Sequence, residues 1–408
     1  MKILMIGLPA YGHLNPTLFV ARELVQRGYQ VTYLINEEFS GLVRETGVHV
    51  ECYAEPNFSW RNMGSFLAYN RPAYELGLQL GKDYDCILYS MVFFYGERLG
   101  RALGKPTIRM QPNFAMTEKF IKEQAKQSRY TGMLSNKFVR PLVLNLMLGK
   151  AADPELAQYV DPEPSGMELT FITKQFQPDG EELDPARWKF VGPIIEPSPD
   201  FQDQLPPEID FVSRPVIYVS LGTIFRERKW FYRICVDAFK SMDAEVILSI
   251  GDHTDPAFFG SLPEHMHLLK HVPLDTFLAI LSRASVFVTH CGINSTNSAF
   301  YFGVPMVAVP QESDQFMVAE GVVTLGCGRL LKKVTAETLR EAVLDVMHSP
   351  SYRQSALIQQ EIVCQSGGAV QAADEIELFL QRMDGAAQLD SIVQLDHSLQ
   401  ALHSISNL

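Results

Sequence analysis

Residues 1–35 alternate in a pattern that few folds accommodate. Residues 2–8 are a short, nearly uninterrupted apolar run closed by Pro9, Ala10, Tyr11 and Gly12. Residues 16–27 then carry Phe19, Val20 and Leu24 at helical spacing and stop at Gly28, and residues 29–35 are apolar again. Short apolar runs bounded by turn residues read as buried strands, and the 3.6-residue spacing between them reads as a helix. Asn15 followed by Pro16 fits a capped helix start with proline at its first position, where the missing N–H costs nothing. Strand, helix and strand in that order form a β-α-β unit, so the two strands lie parallel in one sheet. Residues 86–89, 96–103 and 106–110 repeat the motif.

The rhythm breaks once. Between residues 193 and 210 the chain carries Pro193, Pro197, Pro199, Pro206 and Pro207 among acidic residues, a composition that supports neither period. Afterwards it restarts, with strands expected at residues 215–221, 245–250, 267–269, 285–289 and 306–310 and helices near residues 230–241 and 295–302. A length of 408 residues is about twice that of a typical domain. The expected architecture is therefore α/β, with two tandem Rossmann-like domains and a cleft between them. Residues 1–196 form the first domain, 197–211 the linker, 212–372 the second domain, and 373–408 a terminal helix and tail. Ligands of such sheets bind beyond the carboxyl ends of the strands.

Composition removes several classes of function. A formal charge of −12 argues against a protein whose main partner is nucleic acid, because neutralising a phosphate backbone needs a basic face. The six cysteines show no C-x-x-C spacing, and residues 1–10 read as a first strand rather than a leader, so reduced thiols in a cytoplasmic protein are expected. No run approaches the roughly eighteen apolar residues of a membrane span. No oligomeric state is read from the sequence.

The chemistry concentrates at two loops. His290, Cys291, Gly292, Ile293, Asn294 and Ser295 form a turn between the strand at residues 285–289 and the next helix. Free N–H groups at a helix start attract anions. Gly292 allows close backbone approach, Asn294 and Ser295 can cap the helix or meet phosphate oxygens, and His290 can donate to the same anion, with added charge if protonated. A capped helix beside a buried histidine would look alike, but the downstream spacing argues for a ligand: Gly303-Val304-Pro305, then Val309-Pro310, then Asp314-Gln315.

That ordered set resembles the donor signature of the family 1 glycosyltransferases. Residues 190–193 (Phe-Val-Gly-Pro) and 219–223 (Val-Ser-Leu-Gly-Thr) are similar to the same family, particularly its bacterial macrolide and flavonoid glycosyltransferases. The resemblance implies the GT-B fold, a C-terminal helix crossing back to the first domain, and inverting transfer of a hexose from a nucleotide-sugar, a UDP-sugar above all. It implies that His290, Asn294 and Ser295 hold the diphosphate and that Gly222 and Thr223 face it from the opposite wall. Asp314 and Gln315 would read the sugar hydroxyls, while His271 and Val272 stand in the base-binding loop. Ser298 occupies the position of the family's ribose-binding glutamate. The nucleotide-sugar is a co-substrate, and no metal or other cofactor is expected.

The second loop is Gly12-His13-Leu14-Asn15-Pro16, after the first strand. By resemblance His13 is the general base that takes the acceptor proton. Its usual aspartate partner is replaced by Ser90, whose hydroxyl can hold a tautomer without compensating an imidazolium charge. An acidic acceptor, a phenol or carboxylic acid, suits such a site; the alternative is a relative that binds nucleotide-sugars, or assists another enzyme, without turnover. Tyr11, Phe58, Phe66, Phe114, Met116 and Met133 are the expected acceptor contacts, which favour a large apolar or aromatic molecule. The basic stretch at residues 119–150, which includes the apolar residues 142–148, reads either as a solvated helix face or as a peripheral contact with a membrane carrying a lipid-like acceptor.

Overall fold

The structure is a computed structural model, and it describes residues 1–54, 69–115, 117, 166–222, 228–252, 254–311, 314–383 and 385. Two parallel sheets carry the chain. The first contains β1 (Lys2–Ile6), β2 (Gln30–Ile35), β3 (His49–Cys52), β4 (Cys86–Ser90), β5 (Thr107–Gln111), β6 (Met167–Thr170) and β7 (Trp188–Phe190). Their spatial order is β3-β2-β1-β4-β5-β6-β7. The second contains β8 (Val216–Ser220), β9 (Glu245–Ser249), β10 (Met266–Leu269), β11 (Val286–Thr289), β12 (Met306–Ala308) and β13 (Gly328–Leu330), in the order β10-β9-β8-β11-β12-β13. Helices cover both faces, which is why β4, β8 and β9 are buried along their whole length and read as continuous apolar runs.

In the first domain the described helices are α1 (Tyr11–Gln26), α2 (Glu37–Arg44), α3 (Asn70–Leu80) and α4 (Gly96–Leu103). The second has α5 (Lys229–Phe239), α6 (Leu274–Arg283), α7 (Ile293–Tyr301), α8 (Gln315–Thr324), α9 (Ala336–His348) and α10 (Pro350–Gln365). A last helix, α11, spans residues 368–383. It does cross back: Ala369, Ala372, Ala373, Ile376 and Leu380 are buried in the same apolar cluster as Leu14, Val20 and Leu24 of α1. Arg27 at the end of α1 fastens it, with Nη1 2.7 Å from Asp374 and 3.0 Å from Glu377. The connection between the sheets is itself pinned to the second domain, where Gln202 donates to Ser282 and Phe201 stacks on Phe302.

One local expectation is corrected. Asn15 is not a helix cap and Pro16 is not the first helical residue, because α1 starts at Tyr11 with Ala10 preceding it and encloses Pro16. Leu14 N–H bonds to the Ala10 carbonyl, so the turn is already helical four residues before the proline.

The strand orders fix where ligands can go. Strand order reverses between β1 and β4 in one sheet and between β8 and β11 in the other, and a crevice opens at each reversal. The loops after β1, β4, β8 and β11 all emerge there. His13 in α1, Ser90 at the end of β4, Gly222 after β8 and His290 after β11 lie at or just beyond these strand ends.

Candidate active site

Two adjoining cavities, of about 700 and 270 Å³, occupy the cleft. Tyr11, Asn15 and Phe19 line both from the first domain, and Gly222, Asn294, Ser295 and Ser298 line both from the second. His271 and Val272 face only the larger one, His290 and Gly292 only the smaller. The sequence-predicted donor residues on β8, β11, α7 and the turn before α6 thus come together.

The anion end is built from close backbone approach. Gly222 has φ +70°, and a Cβ there would lie 2.6 Å from Cε1 of His290; one on Gly292 would lie 2.5 Å from Nε2. The imidazole is therefore slotted between two glycines. Cys291 also has positive φ, at +61°, a strained conformation for a side-chain-bearing residue that turns the chain sharply into α7. Burial pushes the His290 pKa down to about 4, with the Ser220 backbone opposing, and no partner meets hydrogen-bond geometry at Nδ1. His290 is thus neutral at pH 7 in the unliganded protein, and it meets an anion as a neutral donor.

His13 sits in the first turn of α1, between Gly12 and Pro16 of the smaller cavity, and itself lines neither cavity. Burial pushes its pKa down to about 4, and its Nδ1 is buried without a partner. Ser90 at the end of β4 is likewise buried with an unpartnered Oγ. Each residue thus leaves one buried polar atom without a hydrogen-bond partner, His13 in the helix that follows β1 and Ser90 at the end of β4.

Hydrogen bonds cross between the domains, among them one from Asn297 Nδ2 to the Phe171 carbonyl at 3.4 Å. Asn294 Nδ2 donates to the Gly12 carbonyl at 2.7 Å, and Asn113 Nδ2 donates to Asp314 Oδ2 at 2.7 Å. Asp314 precedes α8 and Gln315 opens it, yet neither lines the two cavities. Gln315 accepts from the Gln311 backbone at 2.8 Å, and Asp314 reaches the first domain instead. His271 is exposed on the rim, its Nδ1 3.7 Å from Asp252. Ser298 donates to the Asn294 carbonyl at 2.9 Å.

On the acceptor side, Tyr11 is exposed on the cavity wall and packs edge-on against Phe39, ring centroids 5.0 Å apart. Phe114 is a correction: it is fully buried, 5.2 Å from the Phe176 ring, in the apolar cluster that also holds Phe300 of α7. An aromatic side chain so enclosed stabilises the domain contact and offers a ligand nothing. Phe58, Phe66, Met116, Met133 and Thr223, like the basic stretch at residues 119–150, lie outside the described residues. Among the described residues, no three His, Cys, Asp or Glu side chains are grouped to hold a metal ion, and no helix is long and apolar enough to cross a membrane.

Sequence reasoning missed the first domain's share of the larger cavity. Arg22, Leu42, Glu45 and Thr46 line it, as does Lys270 of the second domain. A signal existed. Tyr11, Asn15, Phe19 and Arg22 follow one another at intervals of four and three residues, a single helix face, once α1 is started at Tyr11.

Comparison with known proteins agrees with this architecture. Residues 233–371 match the family described as Erythromycin biosynthesis protein CIII-like, C-terminal domain. The NDP-glycosyltransferase YjiC of Bacillus licheniformis is 32% identical, over 93% of this chain and 97% of that protein. The oleandomycin glycosyltransferase of Streptomyces antibioticus is 31% identical, over 92% and 90% respectively. The crystal structure of the calicheamicin glycosyltransferase CalG4 superposes with a TM-score of 0.76 at 28% identity, covering 94% of this chain and 98% of that one. With its two parallel α/β domains, crossing helix and near full-length similarity, the chain belongs to the GT-B glycosyltransferases of family 1.

Proposed function

We propose that this glycosyltransferase moves a hexose, with inversion, from a UDP-sugar to a hydroxyl or carboxyl group of an apolar or aromatic small molecule. The observation that carries this reading is the 2.7 Å hydrogen bond from Asn294 to Gly12. It joins the turn suited to a diphosphate to the residue immediately before His13, so base and leaving group share one cleft. His13, neutral above about pH 4, accepts the acceptor proton as the oxygen attacks the anomeric carbon. As the sugar departs from the diphosphate, charge gathers on the phosphate oxygens. The N-terminus of α7 and neutral His290 stabilise it there.

Ser90 sets the choice of acceptor. An imidazolium on His13 gains no carboxylate at that position, so an acceptor that loses its proton easily, a phenol or carboxylic acid, needs least from the base. The exposed ring of Tyr11 on the cavity wall and the names of relatives that modify oleandomycin and calicheamicin support a large, mostly apolar acceptor.

The test is calorimetric titration with UDP-, dTDP- and GDP-sugars, followed by transfer to phenols, carboxylic acids and alcohols. A UDP-sugar should bind, and phenols should be glycosylated with inverted anomeric configuration. His13→Ala should lower turnover at least about a hundredfold with donor affinity intact. If no nucleotide-sugar binds, the reading is wrong.

A further inference from the structure

Ser298 leaves a gap in the donor site. Ribose hydroxyls are donors that call for an acceptor able to receive two of them, and a carboxylate does this best. Ser298 offers one neutral hydroxyl whose proton is already given to the Asn294 carbonyl, 2.9 Å away.

The fold brings a carboxylate to the same place by another route. Glu196 leaves the first domain just before the linker and lines the smaller cavity with Ser298 and Asn294; among the described residues lining that cavity it is the one carboxylate. An ion pair with the Arg22 guanidinium, from α1, holds it. Arg22 is itself fixed, lying 5.0 Å over the Phe19 ring, and lines the adjoining larger cavity. The Tyr301 phenol is pushed up by burial, then by the charges of Cys364 and Glu196. Tyr301 lies three residues beyond Ser298 on the same helix face, and Glu196 and Ser298 line one cavity.

We propose that Glu196, held by Arg22, is the ribose-binding carboxylate of this chain and takes the role that Ser298 has given up. The proposal rests on the donor reading above. Arg22 also makes it workable: a second negative group beside a diphosphate would repel it, and the guanidinium cancels that charge while leaving lone pairs of Glu196 to face the ribose.

The experiment is calorimetric titration of the full chain with UDP, dTDP and GDP, each beside its 2′,3′-dideoxy counterpart. For whichever nucleotide binds the wild type, Glu196→Gln should weaken binding about tenfold and leave the dideoxy nucleotide unaffected. Ser298→Glu added to that variant should restore the affinity. If Glu196→Gln binds the nucleotide as tightly as the wild type does, the proposal is overturned while the donor reading stands. Equal weakening for both forms of nucleotide would mean that Glu196 acts through the fold, which also overturns it. Absence of binding to the wild type overturns the donor reading as well.

Discussion

The amide of Asn294 donates across the cleft to the carbonyl of Gly12, and that oxygen is open to it because the residue four positions on is Pro16. In a regular helix the N–H of residue 16 would occupy the Gly12 carbonyl; proline has none to give. A helix defect in one domain thus becomes the anchor point of the other. Asn294→Ala should cost about tenfold in nucleotide affinity and increase the radius of gyration of the unliganded protein in small-angle scattering. Lower affinity with an unchanged scattering profile would assign Asn294 to the phosphate alone.

The two active-site histidines predict a pH dependence with a definite sign. His13 and His290 have folded pKa values of about 4, below the usual 6.5, so between these limits the unfolded chain binds more protons. Stability is therefore complete above about pH 6.5 and declines as pH falls toward 4. Thermal unfolding followed from pH 7.5 to 4.5 should report a falling Tm, with a shallower slope in His13→Gln. Since the neutral form of His13 is the base, kcat/KM should be flat from pH 6 to 8 as far as this group is concerned.

Ser90→Asp introduces a carboxylate at the end of β4, beside the loop that carries His13. The acid should raise the His13 pKa and speed transfer to ordinary alcohols by about tenfold or more. It should also lower Tm, because the position is buried. Alcohol kinetics that match the wild type would show that Ser90 does not face the imidazole.

Gly222 combines a φ of +70° with contact to His290. Gly222→Ala should cost about 1–3 kcal/mol of stability from the backbone alone and displace the imidazole. Chemical denaturation and nucleotide titration should both change, the second more than tenfold.

In the first sheet, fully buried Glu168 on β6 pairs with Arg109 on β5 at 2.9 Å and accepts from Gln111. Glu168→Leu should destabilise the protein by about 3–5 kcal/mol, because it strands a buried guanidinium. Urea denaturation would measure it.

The same Glu168 explains one limit of the sequence. Strands β1, β4, β8 and β11, whose residues are apolar on both faces, were legible as runs, and they suffice to place both crevices. Strands β3, β6, β7 and β13 were not. β6 carries a carboxylate whose partner is 59 residues away, β3 alternates at a half-exposed edge, and β7 and β13 are three residues each. Site residues followed the same division. The turn at His290 is local and was readable, as was the loop at His13. The contributions of Asn113, Arg22 and Glu196 depend on which surfaces meet across the cleft, and no short-range pattern encodes that. Phe114 misled for a related reason: aromatic composition does not tell a pocket wall from a domain contact.

Helix α11 bears on the order in which the molecule can be made. Ala372, Ala373 and Ile376 complete the apolar cluster around Val20 and Leu24, so the half of the protein that leaves the ribosome first is finished by residues that leave it late. Until they arrive, that half exposes an apolar groove that the second domain does not fill. The first half therefore becomes a durable folded unit only when the whole chain has been synthesised, and a chain cut at residue 367 would lose the first domain before the second.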